Sequence, residues 1–471
     1  MTIKKVKIKA FNRFFTLKKI DDIYQERIAG KKNAGLDGID SKRFDIKKNE
    51  YVQSINKKVK KGTYSFIPYA EIQMSKGRGK APRILALPAL RDQITLSCLK
   101  DFLHSNFEDS INKKLPNSYI YELKEMVSSL IKTGENCFFI KIDIKGFYDN
   151  IDREKLMNFV RRRIDKPEAL KLIYKAITNP IVPRSSNSKQ RYQYYTSKGV
   201  PQGLAISNIL SNIYLSNFDI CAGKLGLKYF RYVDDILILH NSSKKTSDIL
   251  EKLRFEVSRL GLELNDEKTN MGVIGKYSID YLGYDIKKNT KTSVRPSSFQ
   301  KLIISLSNKL VYADYHKSKF LELHSDLDNE TYQKVLIEDL IERITGAFNE
   351  KKKYGWLFYF SQIDDIALLH KLDGIVEKLC LRCKTLKKTD NIKSFVVGFR
   401  EIHKMRLGRS SDYIPSYDNF DLRAKLSFLR ERGIISSDEK NTLSESEINK
   451  IFISVISTRM KRIEMDIKGL S

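Results

Sequence analysis

The sequence predicts a mixed α+β chain, and three observations carry that prediction. Between about residues 137 and 290, short apolar runs of strand length alternate with segments of helical periodicity. From about residue 296 the strand signals fade, while helical periodicity continues almost to the last residue. The 471 residues also hold 86 Lys and Arg against 57 Asp and Glu, a formal net charge of +29. An excess of this size points to a polyanionic partner, nucleic acid first, because lysine and arginine on phosphates release counterions. A solvated basic surface is the competing reading. Some +24 of the excess falls in residues 1–295, which makes that part the stronger candidate for phosphate binding. With 41% hydrophobic residues, wholesale disorder is excluded and the length suggests two to four structural units.

Taken in order, residues 1–60 are Lys-rich and helical in periodicity, interrupted by NAGLDGID (33–40), which reads as a turn. Residues 71–93, EIQMSKGRGKAPRILALPALRDQ, read as a flexible basic loop followed by the short strand RILAL. A helical stretch near 93–132 leads to CFFIKIDI (137–144), a buried strand that delivers Asp143 at its C-terminal edge. Residues 151–177 are expected as one helix opened by Asp152, with a polar, Tyr-rich connection at 178–198. The turn GVPQG (199–203) enters a helix, and YFRYVDDILIL (229–239) has the two apolar arms and tight acidic turn of a hairpin. A helix over 247–260, a brief strand at 262–264 and a second hairpin at 277–286 follow. Further helices are expected over 298–313, 329–352, 363–386 and 444–468. Five scattered cysteines favour a reducing compartment over a disulfide framework, and the lone CxxC at Cys380 and Cys383 lacks the second half of a zinc site. No signal-like apolar core and no run near the roughly 20 apolar residues of a membrane span is present, so a cytoplasmic chain without membrane contact is expected.

The chemistry concentrates on Asp143, Asp234 and Asp235. Adjacent carboxylates between apolar arms repel one another and raise a pKa unless a cation neutralises them. Two Mg²⁺ ions, roughly 3.5–4 Å apart, would do so and would suit in-line nucleotidyl transfer. For an isolated Asp-Asp pair, an exposed turn is the commoner explanation.

The neighbouring residues change that balance. RYVDDILIL resembles the YxDD hairpin of the reverse transcriptases, FFIKIDIKGFYDNID their first-aspartate motif, and SKGVPQGLAISNILSNIYL their PQG motif. GLELNDEKT and YLGYDI are similar to two downstream elements, and LDGID with the tract from Lys76 to Arg91 resembles fingers motifs of bacterial and group II intron members. The resemblance covers roughly residues 30–290, with the motifs in the family's order. It implies a right-hand polymerase: fingers at 1–132, a ferredoxin-like palm sheet at 133–290 with an insertion at about 160–198, a helical thumb at 291–384 and an all-α extension at 385–471.

The resemblance also implies roles. Asp143, Asp234 and Asp235 would hold two Mg²⁺ ions, with the carbonyl of Ile144 as a further ligand. Lys76, Arg78, Lys80 and Arg83 would grip the triphosphate of a dNTP, where a planar guanidinium suits multidentate contact. Tyr148 would be the ring that excludes a 2′-hydroxyl, and Gln202 and Gly203 would shape the nucleotide pocket. Lys268 and the hairpin Tyr281, Leu282, Gly283 and Tyr284 would meet primer and template. For Tyr148 taken alone core packing is the alternative, and for the lysines a solvated loop.

The segment KKKYGWLFYFSQIDDIALLHKLDGIVEKL (351–379) resembles the thumb of bacterial members, with Trp356 expected in packing. No Cys/His-rich cluster follows Ser298 as in many intron-encoded proteins, and no VTG follows the second hairpin as in retron enzymes. The chain is therefore most similar to the defence-associated, abortive-infection type. That similarity implies an RNA template, a dedicated non-coding RNA in particular, and a DNA product, while the near-neutral C-terminal helices are expected to serve a protein partner or a second copy. A non-catalytic, maturase-like RNA-binding scaffold, a retron or intron-derived enzyme, and an RNA-synthesising palm are the alternatives.

Overall fold

The computed structural model describes residues 10–30, 34–75, 79, 81–111, 114–134, 136–186, 191–225, 228–241, 246–287, 291–386, 392–436 and 443–467. The chain divides into two compact units, residues 1–113 with 138–271, and residues 114–137 with 272–471.

The first unit opens with the helices Leu17–Arg27, Ser41–Ile46 and Lys48–Lys60. Thr16 and Asp40 cap the first two, their side chains accepting from Lys19 N and Arg43 N. Seven strands follow in chain order: β1 (Tyr69–Met74), β2 (Arg83–Leu87), β3 (Phe138–Ile142), β4 (Ile181–Val182), β5 (Lys228–Tyr232), β6 (Asp235–His240) and β7 (Asn270–Val273), at which the unit ends. They make a three-stranded sheet in the order β2-β1-β4 and a four-stranded sheet in the order β5-β6-β3-β7. The period of two along β3 and β6 puts alternate residues on a shared face, while Phe139, Leu237 and Leu239 on the other face are buried too. Ile140, Ile142, Ile236 and Ile238 are fully buried and share one core with Ile209, Leu210 and Ile213 of the helix Ser207–Ala222 and with Leu156 and Val160 of the helix Arg153–Arg161.

Two expectations change here. Residues 151–177 form not one helix but two, Arg153–Arg161 and Pro167–Thr178, because Pro167 lacks the N–H needed mid-helix and instead occupies the first turn of the second. The start of the expected basic loop is β1, whose polar residues hide its strand character, while pairing from Ala70 opposite Leu87 to Met74 opposite Arg83 supplies its backbone partners.

The second unit contains the helix Pro116–Lys132, although it precedes β3 in sequence: Asn117 donates to the Phe358 carbonyl at 3.3 Å and Lys124 to Asp364 at 2.6 Å. A three-stranded antiparallel sheet, β8 (Ile279–Tyr281), β9 (Tyr284–Ile286) and β10 (Thr292–Val294), is followed by the long helices Pro296–Leu323 and Asn329–Thr345. The second helix stops seven residues short of its expected end at 352. Gly346 turns at φ +77, where a Cβ would lie 2.4 Å from the Tyr354 carbonyl, and the chain enters a hairpin of β11 (Ala347–Asn349) and β12 (Lys352–Tyr354). Trp356 is fully buried against Phe360 and Phe395, as packing required. The helices Ile366–Arg382, Phe395–Arg406, Leu422–Glu431 and Glu445–Glu464 complete the unit, the middle two unread from sequence. Cys380 and Cys383 are buried free thiols, and Cys383 donates to the Asp314 carboxylate at 3.2 Å.

A buried ionic network joins these helices. Arg459 donates to both Asp339 and Glu342, Lys309 pairs with Asp339, and the Tyr417 hydroxyl donates to Glu342.

Candidate active site

The β3–β6 pairing builds the site. Ile142 lies opposite Ile236, so continuing the register by one residue sets Asp143 opposite Asp235, with both side chains starting from the same face of neighbouring strands. Val233 and Asp234 form the two-residue turn between β5 and β6, and Val233 takes φ +59. For a β-branched residue this left-handed backbone costs on the order of 1–3 kcal/mol and persists only where the surroundings impose it. Helix, strand and turn are local; the closeness of Asp143 to a hairpin ninety residues later is a product of the sheet.

Each carboxylate has a restraint. Asp143 accepts from the Asn265 side-chain amide at 3.1 Å and from Lys268 at 3.4 Å, while its own carbonyl accepts from Asn265 N at 2.8 Å. Lys141 approaches Asp235 to 4.0 Å. Burial pushes the Asp234 carboxyl above its ordinary pKa and the charge of Asp143 pushes it the same way, against Arg83 and Lys268. Thus Asp143, Arg83 and Lys268 all act electrostatically on Asp234.

Tyr148 follows Asp143 on the short helix Phe147–Asn150. Its hydroxyl lies 3.5 Å from Ser211 Oγ; burial raises its pKa, and Asp234 and Arg83 act on it with opposite sign. The PQG loop is fixed on both sides of it. Val200 N donates to the Tyr148 carbonyl at 2.8 Å, Gly199 at φ +90 leaves room where a Cβ would sit 2.8 Å from the Asp149 carbonyl, and the Gln202 carbonyl accepts from Ala86 N of β2 at 2.7 Å. Gly203, at φ +97, passes against the same strand, where a Cβ would lie 3.0 Å from the Ala86 carbonyl oxygen. Arg83 is exposed at the start of β2, so one strand carries both the arginine and the seat of the Gln202–Gly203 turn. Lys76, Arg78 and Lys80 lie outside the described residues.

The second hairpin packs its side chains inward. Tyr281, Leu282 and Tyr284 are buried, and Tyr284 donates to the Tyr359 carbonyl while the Tyr359 hydroxyl donates to that of Leu282. Their side chains pack within the second unit. Leu282 and Gly283 both take positive φ, the geometry of a tight two-residue turn. Alternating Tyr residues read equally well as contacts or as core, and sequence offered no way to choose.

Three residues of the site escaped the sequence reading: Lys141, Asn265 and Arg231, whose guanidinium donates to the Val233 carbonyl at 2.9 Å. Lys141 stands two residues before Asp143, Asn265 three before Lys268 and Arg231 three before Asp234, so each lay inside a quoted motif without being given a role. A pocket of about 530 Å³ lined by Arg153, Tyr174, Tyr195 and Lys198 contains none of the three aspartates.

Three carboxylates and the carbonyl of Ile144 would offer an all-oxygen donor set, the kind that suits a hard divalent cation. The unfavourable charge that Asp143 adds at Asp234 is the feature such a cation relieves. Among the described residues no three acidic, His or Cys side chains are gathered into a ready metal cluster, since Asp143 turns to Asn265 and Lys268 and Asp235 to Lys141.

Carboxylates from two antiparallel strands, backed by helices and faced by a basic strand and a packed tyrosine, define a polymerase palm. Residues 76–286 match the family described as reverse transcriptase (RNA-dependent DNA polymerase), so this stretch of the chain is a reverse transcriptase domain, that of an RNA-directed DNA polymerase. The group II intron-encoded protein LtrA of Lactococcus lactis subsp. cremoris is 27% identical over 479 aligned residues, covering 83% of this chain and 77% of that protein. Protein YkfC of Escherichia coli (strain K12) is 26% identical over 284 residues, covering 51% of this chain and 73% of its own. Among solved structures, telomerase from Candida albicans in complex with a fragment of telomeric RNA gives a TM-score of 0.39 at 15% identity, over 79% of this chain and 68% of that one. No helix among the described residues is long and apolar enough to cross a membrane.

Proposed function

We propose that the chain copies RNA into DNA with two Mg²⁺ ions held by Asp143, Asp234 and Asp235, together with the Ile144 carbonyl. The observation that carries this reading is the register that sets Asp143 opposite Asp235 beside a half-buried Asp234. The ions would activate the primer hydroxyl and stabilise the leaving pyrophosphate. The protein's own groups do the rest. Arg83, with Lys76, Arg78 and Lys80 on the preceding segment, binds the triphosphate; Tyr148 closes the sugar side of the pocket; and the Gln202–Gly203 turn fixes its floor against β2. Lys268 balances the charge of Asp143 and lies within reach of phosphate. The Tyr281–Tyr284 hairpin would support the primer through its backbone alone. We read the first unit as palm with fingers, and residues 291–384 as thumb, with 385–471 as an extension for a protein partner or a second copy.

The test is primer extension on an RNA template with dNTPs and Mg²⁺. Wild type should extend, and Asp234→Ala/Asp235→Ala should fall to background; equal activity in the two, or no extension on any RNA, sinks the reading.

For the biological setting we propose antiphage defence with a dedicated non-coding RNA template, in the cytoplasm. What supports it is the C-terminal region, where Tyr417, Phe428, Phe452 and Ile456 form a helical core. An intron-derived or maturase-like role is the second reading, favoured by the LtrA alignment, which at 83% of the chain extends well beyond residues 76–286. Sequencing the RNA and DNA that co-purify separates them: a small RNA with its complementary DNA supports the first, intron RNA the second.

A further inference from the structure

We propose that Arg231 is a positioning residue of the polymerase site: anchored by Asp219 and Asn212, it holds the carbonyl of Val233 and so fixes the turn that presents Asp234. The proposal rests on Asp234 being a working carboxylate. Arg231 pairs across from Ile236, so its side chain leaves β5 on the face turned to the helix Ser207–Ala222. Asn212 and Asp219 stand seven residues apart on that helix, two turns along one side.

Every edge of the guanidinium is used. Nε and Nη2 fork onto the two Asp219 oxygens at 2.6 and 2.5 Å, and Nη1 donates to Asn212 Oδ1 at 3.0 Å and to the Val233 carbonyl at 2.9 Å. Tyr229 donates its hydroxyl to Asp219 at 2.6 Å, which locks the anchor in turn. The side chain of Arg231 is only 9% exposed, so these bonds meet little competition from water.

The bond to Val233 matters because the central peptide of a two-residue turn can flip. Flipping carries that carbonyl to the other side and asks Asp234 as well as Val233 to take positive φ, whereas only Val233 does so here. A donor held on the helix side retains one of the two forms. The same helix carries Ser211 beside the Tyr148 hydroxyl, so the turn and the tyrosine share a single support. Lysine keeps the charge but has no planar fork to span Asp219, Asn212 and the carbonyl together.

The test compares Arg231→Lys, Asp219→Asn and the double variant with wild type in single-nucleotide incorporation, titrating dNTP and Mg²⁺ separately, with thermal unfolding as a fold control. Each single change should lower kcat about 10–100-fold, the range for partners that orient a ligand side chain. KM for dNTP should stay nearly level while the Mg²⁺ requirement rises, and the double variant should be no worse than the poorer single. Wild-type kcat and Mg²⁺ dependence in Arg231→Lys overturn the proposal, as do losses that only track the unfolded fraction; Asp219→Asn decides if the lysine variant does not fold. Asp234→Ala is run alongside: if it stays active, the reading beneath the proposal fails, and if it is inactive while Arg231→Lys is normal, only the proposal does.

Discussion

Replacing Arg459 by Met should destabilise the second unit sharply. Arg459 is 13% exposed, Asp339 14% and Glu342 4%, so the two carboxylates stand in near isolation from water and depend on the arginine. Burial pushes the Glu342 carboxyl above its ordinary pKa against the pull of Arg459, whereas for Asp339 the charges of Arg459 and Lys309 outweigh burial and hold it low. Arg459→Met leaves Lys309 on Asp339 but removes the cation facing Glu342. Breaking a buried pair from one side costs about 3–5 kcal/mol, which in a unit of this size lowers its thermal midpoint by about 10 °C. Calorimetry or far-UV circular dichroism at pH 7.5 and 5.5 checks both size and sign. Glu342 would be raised further in the variant, so its neutral form is the one the fold prefers, and stability should recover as pH falls through its folded-state pKa. Adding Glu342→Gln, which keeps an acceptor for Tyr417, should restore part of the loss at pH 7.5. A shift under about 2 °C, or a double variant no better than the single one, refutes the reasoning.

Other outcomes follow from the first unit. Tyr148→Ala should admit ribonucleotides, read as rNTP incorporation on the same template, and an unchanged dNTP preference would remove the tyrosine from that role. Gly199→Ala should reduce incorporation at least about tenfold, since a Cβ 2.8 Å from the Asp149 carbonyl at φ +90 forces the loop off Tyr148 at about 1–3 kcal/mol; activity within twofold of wild type would show that the loop tolerates the shift. Asp92 is fully buried, with its pKa pushed up to about 6 chiefly by burial, against hydrogen bonds from Tyr64 and Ile67 N. A raised carboxyl stabilises the fold below its unfolded pKa and loses that contribution as pH rises through about 6. Denaturant unfolding should therefore show the first unit weakening between pH 4.5 and 7 by up to about 3 kcal/mol, and Asp92→Asn should flatten that slope; a parallel slope in both proteins would assign the effect elsewhere.

The chemistry was more legible in sequence than the architecture. Asp143, Asp234 and Asp235 stand out because buried strands seldom carry carboxylates at their ends, and the apolar runs around them set β3, β5 and β6 almost to the residue. Pro167 was visible but underweighted, since amphipathic periodicity runs through both helices it separates. The β11–β12 hairpin was not visible, because Asn349–Lys353 is polar and charged and its strands are only three residues long. Arg231 illustrates the harder limit: its partners are Asp219 and Asn212 on another element, and nothing local distinguishes it from a solvated arginine on a hairpin arm. The burial of Tyr281 and Tyr284 was not legible either, because burial of a tyrosine depends on what the rest of the chain lays over it.

The chain's two units interleave, and synthesis proceeds from one end only. The helix Pro116–Lys132, whose apolar side is Tyr119, Ile120, Leu123, Val127 and Leu130, leaves the ribosome early, yet it groups with residues 272–471. While the palm strands are being made, that side waits uncovered, an opportunity for a chaperone or for unwanted association. A fragment ending at residue 271 would carry the helix without its partners, so solubility of such a fragment should improve when 114–137 is replaced by a short polar linker.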